Sequence, residues 1–273
     1  MTVYFIGAGP GAADLLTVRA DRLIRHASVV MYAGSIVPES VLESTPEGCE
    51  LINTARMPLD SIMETIASYH EKGIDVLRLQ SGDPSVYSAL AEQVRRLTDL
   101  GIDYEVVPGV PAFAAAAATL GHELTVPTIG QTVILTRVSG RASAMPEGED
   151  LDTLGKSGAT LVIHLAAHDA ERVARELEPN YGAECPVAVV AYASRENEQV
   201  VRTTVEKLPQ DIAAAGITRT AVIIVGKVLS ATQFPDSFLY SDAGPATNTG
   251  GRSHACTNPR RHEGGPRPCQ TAR

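Results

Sequence analysis

Residues 3–12 read VYFIGAGPGA, and this stretch decides the fold. Its first half, Val3–Ile6, is a short apolar run that indicates a buried β-strand. The glycine-rich half predicts a tight turn, because glycine adopts backbone conformations that are closed to other residues. Apolar residues then recur at helical spacing from Leu15 to Ile24. Strand, turn and helix together predict the opening unit of an α/β fold.

The same alternation of strands and helices continues to residue 110. Further apolar strands are predicted at Ser28–Tyr32, Asp75–Gln80 and Tyr104–Val107. A helix is predicted to begin at Pro84, since proline suits the first turn of a helix, and to end at Gly101. Nearly all-apolar strands that alternate with helices predict a mostly parallel sheet with helices on both faces. Such a sheet binds its ligand at the carboxyl ends of its strands.

The second half of the chain is richer in strands. An alanine-rich helix at Phe113–Leu120 precedes strands predicted at Thr132–Thr136, Thr160–Leu165, Val187–Tyr192, Val200–Val205 and Ala221–Val228. The last two strands could pair in either sense, so we expect a mixed sheet. The predicted organisation is an N-terminal α/β domain at 1–110, a C-terminal mixed-sheet α/β domain at 111–240 and a disordered tail at 241–273. The tail contains no Val, Ile, Leu, Met or Phe and has too little apolar surface to form a core.

Composition excludes several classes of protein. The formal net charge is −9, and the tail holds five arginines against two acidic residues, so residues 1–240 are more acidic still. A basic footprint for nucleic acid is therefore not expected, and the absence of tryptophan argues against base stacking. No secretory signal and no apolar run of about 18 residues is present, and the four cysteines form no C-x-x-C pair. We expect a cytoplasmic protein that does not enter a membrane.

The glycine-rich turn formally fits the dinucleotide-binding pattern G-x-G-x-x-G/A, from Gly7 to Ala12. Two observations count against that interpretation. The second strand ends in Met31–Ala33 without an acidic residue to bind a ribose, and Pro10 removes an amide that a phosphate would use. A tight turn that simply needs glycine explains the pattern better, and an NAD(P)-linked oxidoreductase remains an alternative.

Five motifs, in order over residues 3–229, resemble those of the tetrapyrrole methylase family. They are Gly7–Gly11, Ser81–Pro84, Val107–Val110, the strand from Thr160 to Leu165, and Thr220–Gly226. The resemblance implies a two-domain α/β enzyme, a methyltransferase with S-adenosyl-L-methionine as its methyl donor, and a homodimer. Since members of this family serve porphyrin and cobalamin biosynthesis, the substrate would be a tetrapyrrole.

Two further stretches are similar to one branch of that family. They are Tyr32–Pro38, and Gln131–Arg137 with Gly140-Arg141 and Met145–Glu147. This branch methylates carbon 11 of precorrin-4 or of its cobalt-containing analogue, so either compound is the expected substrate. Methylation of another ring carbon and a non-catalytic tetrapyrrole carrier remain alternatives.

The resemblance also implies a cofactor pocket built from small residues and backbone. It would be lined by Pro10, Ser81, Gly82, Asp83, Val86, Pro111, Ala112, Leu165, Ala193, Thr220 and Ala221. Small residues let main-chain groups read an adenosyl ligand directly. Asp83 is the only acid in the set and would face the amino group or a hydroxyl of the cofactor, although it would serve equally well as the N-cap of a helix that begins at Pro84. Relatives usually carry hydroxyl residues where this chain has Pro111-Ala112.

The expected substrate carries many acetate and propionate groups, so its site needs local positive charge in an acidic protein. Arginine matches carboxylates best, and Arg56, Arg137 and Arg141 are the candidates, with Tyr32 and Ser35 beside the macrocycle. Each arginine could equally be an ordinary surface residue.

No metal site and no catalytic base are predicted. His164 and His168 are spaced as ligands on a helix would be, but His164 lies in a predicted strand, where that spacing does not bring side chains together. No G-x-S-x-G or similar signature of a nucleophile is present. Methyl transfer from a sulfonium needs no nucleophile of the protein, because alignment of donor and acceptor is the main requirement. A proton is lost during the step, and the sequence assigns no base to take it.

Overall fold

The computed structural model describes residues 1–34, 36–139 and 144–236, and residues 1–235 form one compact unit. The predicted disordered tail at 241–273 lies outside the described residues. Within the described ranges, no helix is both long and apolar enough to cross a membrane. The same ranges contain no cluster of three or more His, Cys, Asp or Glu side chains able to hold a metal ion.

The first sheet is entirely parallel. Its strands are β1 (Thr2–Gly7), β2 (Val29–Tyr32), β3 (Glu50–Asn53), β4 (Val76–Gln80) and β5 (Asp103–Val107). They are arranged in the order β3-β2-β4-β1-β5, and all four pairings are parallel. The predicted parallel sheet is confirmed, with β3 as an additional edge strand that the sequence pattern did not indicate.

Helices cover both faces of this sheet. Successive side chains of a strand point to opposite faces, and in these strands apolar side chains point to both. The helices are α1 (Val18–Ile24), α2 (Glu39–Leu42), α3 (Leu59–Glu71) and α4 (Leu90–Asp99). Ile6 and Leu79 pack with Ile24 of α1 on one face. Phe5 packs with Ile66 of α3 on the other face. The carboxyl ends of the strands are thereby left to the connecting loops.

The second sheet is mixed, as expected. After α5 (Ala112–Leu120) come β6 (Val133–Arg137), α6 (Leu151–Gly155), β7 (Thr160–His164), α7 (Ala170–Tyr181), β8 (Pro186–Ala191), β9 (Gln199–Thr204), α8 (Leu208–Ala214) and β10 (Ala221–Val225). The strand order is β6-β7-β10-β8-β9, in which only β6 and β7 run parallel. Residues 108–111 connect β5 to α5, and the domain boundary placed there stays a prediction.

The helix predicted to begin at Pro84 begins instead at Leu90. Residues 84–89 form an irregular loop in which Tyr87 (φ 52°) and Ala89 (φ 57°) are left-handed. A right-handed helix cannot pass through such residues, so the apolar spacing after Pro84 misplaced the start of the helix by six positions.

Candidate functional site

Three loops converge at the carboxyl ends of β1, β4 and β5. Gly9 and Gly82 exchange backbone hydrogen bonds, with Gly9 N 3.2 Å from Gly82 O and Gly82 N 2.7 Å from Gly9 O. A Cβ atom at Gly109 would lie 2.2 Å from Gly82 O and 2.7 Å from Gly7 Cα. Only glycine fits there, because the main chains of neighbouring loops are already in contact. The glycine-rich turn at the start of the chain therefore serves this close approach.

Asp83 ties two of these loops together. Its Oδ2 accepts a hydrogen bond of 2.8 Å from Gly109 N, and its Oδ1 accepts one of 2.8 Å from Ser85 N and another from Ser85 Oγ. Burial alone would raise the pKa of Asp83, but these hydrogen bonds outweigh burial and hold the pKa below its ordinary value. The carboxylate is therefore ionised, and its hydrogen bonds hold it in place near the start of the loop after β4. It does not cap a helix at Pro84, because no helix begins there.

Pro111 and Ala112 lie against the same loop. Pro111 is the N-cap of α5, and a Cβ atom built on Gly82 would be 3.6 Å from Pro111 Cα and 3.7 Å from Ala112 N. The expected cofactor segments Ser81–Asp83 and Pro111-Ala112 are thus neighbours in space. The half-buried Val86 belongs to the same turn, with its N–H 3.2 Å from Asp83 O.

Strained backbone marks the corresponding end of the second sheet. Leu165 (φ 55°), Thr220 (φ 54°) and Tyr192 (φ 54°) are left-handed and adjoin the neighbouring strands β7, β10 and β8. Tyr192 N donates to Thr220 O at 2.8 Å, and Ala221 pairs with Ala191. Left-handed non-glycine residues are costly and concentrate at functional sites. Leu165, with 62% of its surface exposed, projects from this end of the sheet.

Residues of the two sheets come into contact at these strand ends, and this region is called the junction. The ring of His164, the last residue of β7, lies 5.4 Å from the ring of Tyr87 and 6.4 Å from that of Phe113 (centroid distances). In addition, Ala12 N donates to Ser194 Oγ at 3.0 Å. Because Tyr87 and Ala12 follow strands of the first sheet and His164 and Ser194 belong to the second, the junction is built by both sheets.

Arg195 spans the same junction and was missed by the sequence analysis. Its Nη2 donates to Ile36 O at 2.6 Å, and its Nε lies 3.4 Å from Pro10 O. A Cβ atom at Gly11 would be 2.4 Å from Arg195 Cγ, which explains the last glycine of the turn. No sequence signal distinguishes this arginine, because its partners are more than 150 positions away.

At this junction the neutral imidazole of His164 lies next to the charged Arg137 in the sheet. Burial lowers the pKa of His164 to about 4, so the ring is uncharged at neutral pH. Its Nε2 has no hydrogen-bond partner among the described residues. Arg137 pairs with His164 in the register of β6 and β7 and lies close enough to Tyr87 to act on its pKa. Burial raises the pKa of Tyr87, and the charge of Arg137 opposes that rise.

Arg137 also organises the loop that follows β6. Its Nη1 donates to Val138 O at 3.0 Å and its Nη2 to Ala144 O at 3.2 Å. The guanidinium therefore stands at the end of β6, beside the ring cluster of Tyr87 and His164.

The remaining predicted residues are distributed as follows. Ala193 is buried directly after the left-handed Tyr192, whereas Tyr32 ends β2 and packs partly into the core. Arg56 is exposed in the loop after β3, the edge strand of the first sheet, whereas Arg137 ends β6 in the second sheet. Ser35 and Arg141 lie outside the described residues. The site therefore unites the predicted cofactor segments and Arg137, and it adds Tyr87, His164, Ser194 and Arg195.

Residues 2–209 match the family model of the Tetrapyrrole (Corrin/Porphyrin) Methylases. The chain belongs to this family, as its motifs predicted. It is 59% identical to the precorrin-4 C(11)-methyltransferase of Rhodococcus erythropolis over 241 residues, which cover 88% of this chain and 97% of the relative. The predicted α/β architecture and methyltransferase class are confirmed by this match.

Solved structures of two other methyltransferases share the fold. A cobalt precorrin-4 methyltransferase from cobalamin biosynthesis superimposes with a TM-score of 0.81 at 39% identity, over 84% of this chain and 95% of that one. The uroporphyrin-III C-methyltransferase of Thermus thermophilus, solved with S-adenosylhomocysteine, superimposes with a TM-score of 0.71 at 27% identity. That match covers 84% of this chain and 99% of the other.

Proposed function

We propose that this chain is an S-adenosyl-L-methionine-dependent methyltransferase that methylates carbon 11 of precorrin-4 to give precorrin-5 in cobalamin biosynthesis. The observation that carries the proposal is the 59% identity to a relative named for this reaction, over 97% of that relative's length. A family member solved with S-adenosylhomocysteine supports the choice of cofactor. A homodimer, as the family resemblance implies, and a cytoplasmic location are part of the same proposal.

The proposed cofactor site is the meeting point of the glycine loops and the strained end of the second sheet. Because no side chain projects where the main chains converge at Gly82 and Gly109, a ligand there would contact the backbone directly, which suits recognition of an adenosine. The ionised Asp83 would attract the ammonium group of the methionine part. Pro10, Ser81, Val86, Pro111, Ala112, Leu165, Ala193, Thr220 and Ala221 complete the proposed lining.

When bound, the cofactor supplies a methyl group activated by a positively charged sulfur. The chain's own contribution is to align that methyl group with the acceptor carbon and to exclude water, and such positioning lowers a barrier by about 7–11 kcal/mol. The hydrogen bonds from Arg195 to Pro10 O and Ile36 O would hold the loops of the two sheets in a fixed relative position. The step breaks the sulfur–methyl bond, forms a carbon–carbon bond and releases S-adenosylhomocysteine and one proton, and no residue is assigned as the base that takes this proton.

The proposed substrate site lies beside Arg137. This guanidinium would pair with a carboxylate of precorrin-4, and the Tyr87 ring beside it would contact the face of the macrocycle. Tyr32, Ser35, Arg56 and Arg141 remain proposed contacts for the rest of the ring. Metal-free precorrin-4 is proposed over the cobalt form because the relative named for it is 59% identical, against 39% for the solved cobalt-precorrin-4 enzyme.

The test is a paired assay of binding and turnover. Isothermal titration with S-adenosylhomocysteine and, separately, NAD measures the cofactor preference, and the expected result is binding of the first alone. Incubation with methyl-labelled S-adenosyl-L-methionine and either precorrin-4 or cobalt-precorrin-4 measures transfer, and faster labelling of precorrin-4 is expected. Tight binding of the tetrapyrrole with no label transferred would instead identify a carrier.

A further inference from the structure

A buried cation lies in the middle of the first sheet. Arg78, the third residue of β4, is 6% exposed, and among the described residues no other charged side chain is buried. Burial lowers the pKa of Arg78 to about 10, so the guanidinium keeps its charge at neutral pH. Its Nη1 has no hydrogen-bond partner in the described part of the chain. A well-packed apolar residue would stabilise this position better, so stability alone does not account for an arginine here.

The partner of Arg78 is a buried amide on α4. Arg78 Nε donates to Gln93 Oε1 at 3.3 Å, and Gln93, which is 3% exposed, donates from Nε2 to Ala89 O at 2.8 Å. Both ends of the amide are therefore used, one toward the sheet and one toward the loop before the helix. Ala89 is left-handed and has no side-chain cap, so this bond holds a residue in a conformation that alanine disfavours.

The loop that ends at Ala89 is the one that carries the candidate site. Residues 81–89 contain Asp83, whose carboxylate binds Gly109 N, and Tyr87, whose ring contacts His164 of the second sheet. Inside the loop, Ser88 Oγ also donates to Pro84 O. Arg78 lies three residues before the loop and Gln93 four residues after it, so the hydrogen-bond chain Arg78–Gln93–Ala89 spans the base of the loop from strand to helix.

We propose that Arg78 and Gln93 are positioning residues whose hydrogen-bond chain to Ala89 O holds loop 81–89 in the conformation that binds the cofactor. This inference rests on the proposed function and extends it to two residues that touch neither ligand. This hydrogen-bond chain acts by pre-organisation. A loop that is already ordered loses less conformational freedom on binding, so the ligand binds more tightly.

Gln93→Glu tests whether Gln93 positions loop 81–89 or only provides a hydrogen-bond acceptor for the buried Arg78. The carboxylate keeps the acceptor for Arg78 and adds an opposite charge, so the fold is not expected to weaken at neutral pH. The same change removes the N–H donor and places negative charge against Ala89 O, so the link to the loop is lost. The matched control is Ala91→Glu, which adds the same charge at an exposed position of the same helix.

Two measurements are made on each protein. Hydrogen exchange of the unliganded chain reports on the amides of residues 85–90, and isothermal titration with S-adenosylhomocysteine reports on affinity. Gln93→Glu should accelerate exchange there and weaken binding by about threefold to tenfold, which is the effect of one net hydrogen bond. Its Tm should stay at or above that of the unmodified protein, and Ala91→Glu should change neither readout.

The outcomes distinguish this inference from the proposed function. Unchanged exchange and unchanged affinity in a folded Gln93→Glu would overturn the positioning role. Suppose instead that exchange is faster in Gln93→Glu but the unmodified protein does not bind S-adenosylhomocysteine. The role of the hydrogen-bond chain in ordering the loop would then be supported, and the proposed cofactor would be rejected. If Gln93→Glu does not fold, Gln93→Asn takes its place, since its shorter amide cannot reach both partners, and the same two readouts decide.

Discussion

The carboxylate of Asp83 accepts a hydrogen bond of 2.8 Å from the backbone N–H of Gly109, so the loops after β4 and β5 are joined where the cofactor is proposed to bind. The partners are 26 positions apart in the chain. This bond, the glycine contacts around it and the bridges from the second sheet together define the site, and each can be tested separately.

Asp83→Asn tests the charge of that carboxylate. An amide has one acceptor oxygen and no charge, so we expect S-adenosylhomocysteine affinity to fall about tenfold or more and unfolding free energy at pH 7 to fall by about 1 kcal/mol. Because hydrogen bonds lower the pKa of Asp83 despite its burial, its stabilisation is present above the unfolded pKa of about 4 and is lost as pH falls through the lowered value. Denaturant titration at pH 7 and near pH 3 checks both parts. Asp99→Asn, exposed on α4, is the control.

Gly109→Ala tests the close approach of the loops. The added Cβ would lie 2.2 Å from Gly82 O, and because the obstacle is main chain, the loops must separate. We expect a loss of at least about 3 kcal/mol of unfolding free energy together with loss of cofactor binding. Gly121→Ala controls for backbone strain, since Gly121 has φ 69° and open space around it, and it should lose about 1–2 kcal/mol without affecting binding. Equal effects of the two changes would contradict the steric argument.

Arg195→Ala tests the hydrogen bonds by which Arg195 links the loops of the two sheets. It removes the hydrogen bonds to Pro10 O and Ile36 O and opens space beside Gly11, so affinity for cofactor and for tetrapyrrole should both fall, each by about tenfold. Arg175→Ala on the exposed face of α7 is the matched control. Titration calorimetry with each ligand makes the comparison, and an effect on neither ligand would show that these hydrogen bonds are not needed for binding.

Arg137→Ala tests the proposed carboxylate contact. Losing one charge-assisted pair should raise the KM for the tetrapyrrole about tenfold to a hundredfold, while S-adenosylhomocysteine affinity stays the same. The KM of the unmodified enzyme should also rise with salt more steeply than that of the variant. Steady-state kinetics at two ionic strengths provides the data. An unchanged KM would mean that Arg137 serves only the loop after β6.

His164→Phe tests the buried neutral imidazole. Burial lowers the pKa of His164 from 6.5 to about 4, so the unfolded chain binds more protons than the folded one between these values. Stability should therefore fall as pH drops from 6.5 toward 4, and this part of the fall should be smaller in His164→Phe. Denaturant titrations across that range measure the difference. Parallel pH profiles for the two proteins would show that the imidazole is not desolvated.

Much of the fold was predictable because its signals are local. The glycine turn after β1 and the apolar runs of β4 and β7 depend on residues adjacent in the chain, and both sheets followed from them. Strand β3 was missed because Glu50–Asn53 is a short, half-polar edge strand. The start of α4 was misplaced because tertiary contacts of Asp83 and Tyr87 override a spacing that favours helix.

The site was predictable only where a family motif marks it. Ser81–Asp83 and Pro111-Ala112 were found by resemblance, and the structure places them side by side. Arg195 and His164 act through partners that are distant in sequence or through burial, and neither property has a sequence pattern. The resemblance also named Leu165 and Thr220, but the left-handed backbone of Leu165, Tyr192 and Thr220 was not predicted, since non-glycine residues seldom adopt that conformation.

The most direct test of the proposed function is a carbon-13 NMR spectrum of the product formed from precorrin-4 and S-adenosyl-L-methionine with a carbon-13 methyl group. The account predicts one new labelled methyl signal, coupled to carbon 11 of the macrocycle, and its strong reduction in Asp83→Asn. A labelled methyl group on any other ring carbon, or no incorporation by a protein that binds both ligands, would contradict it.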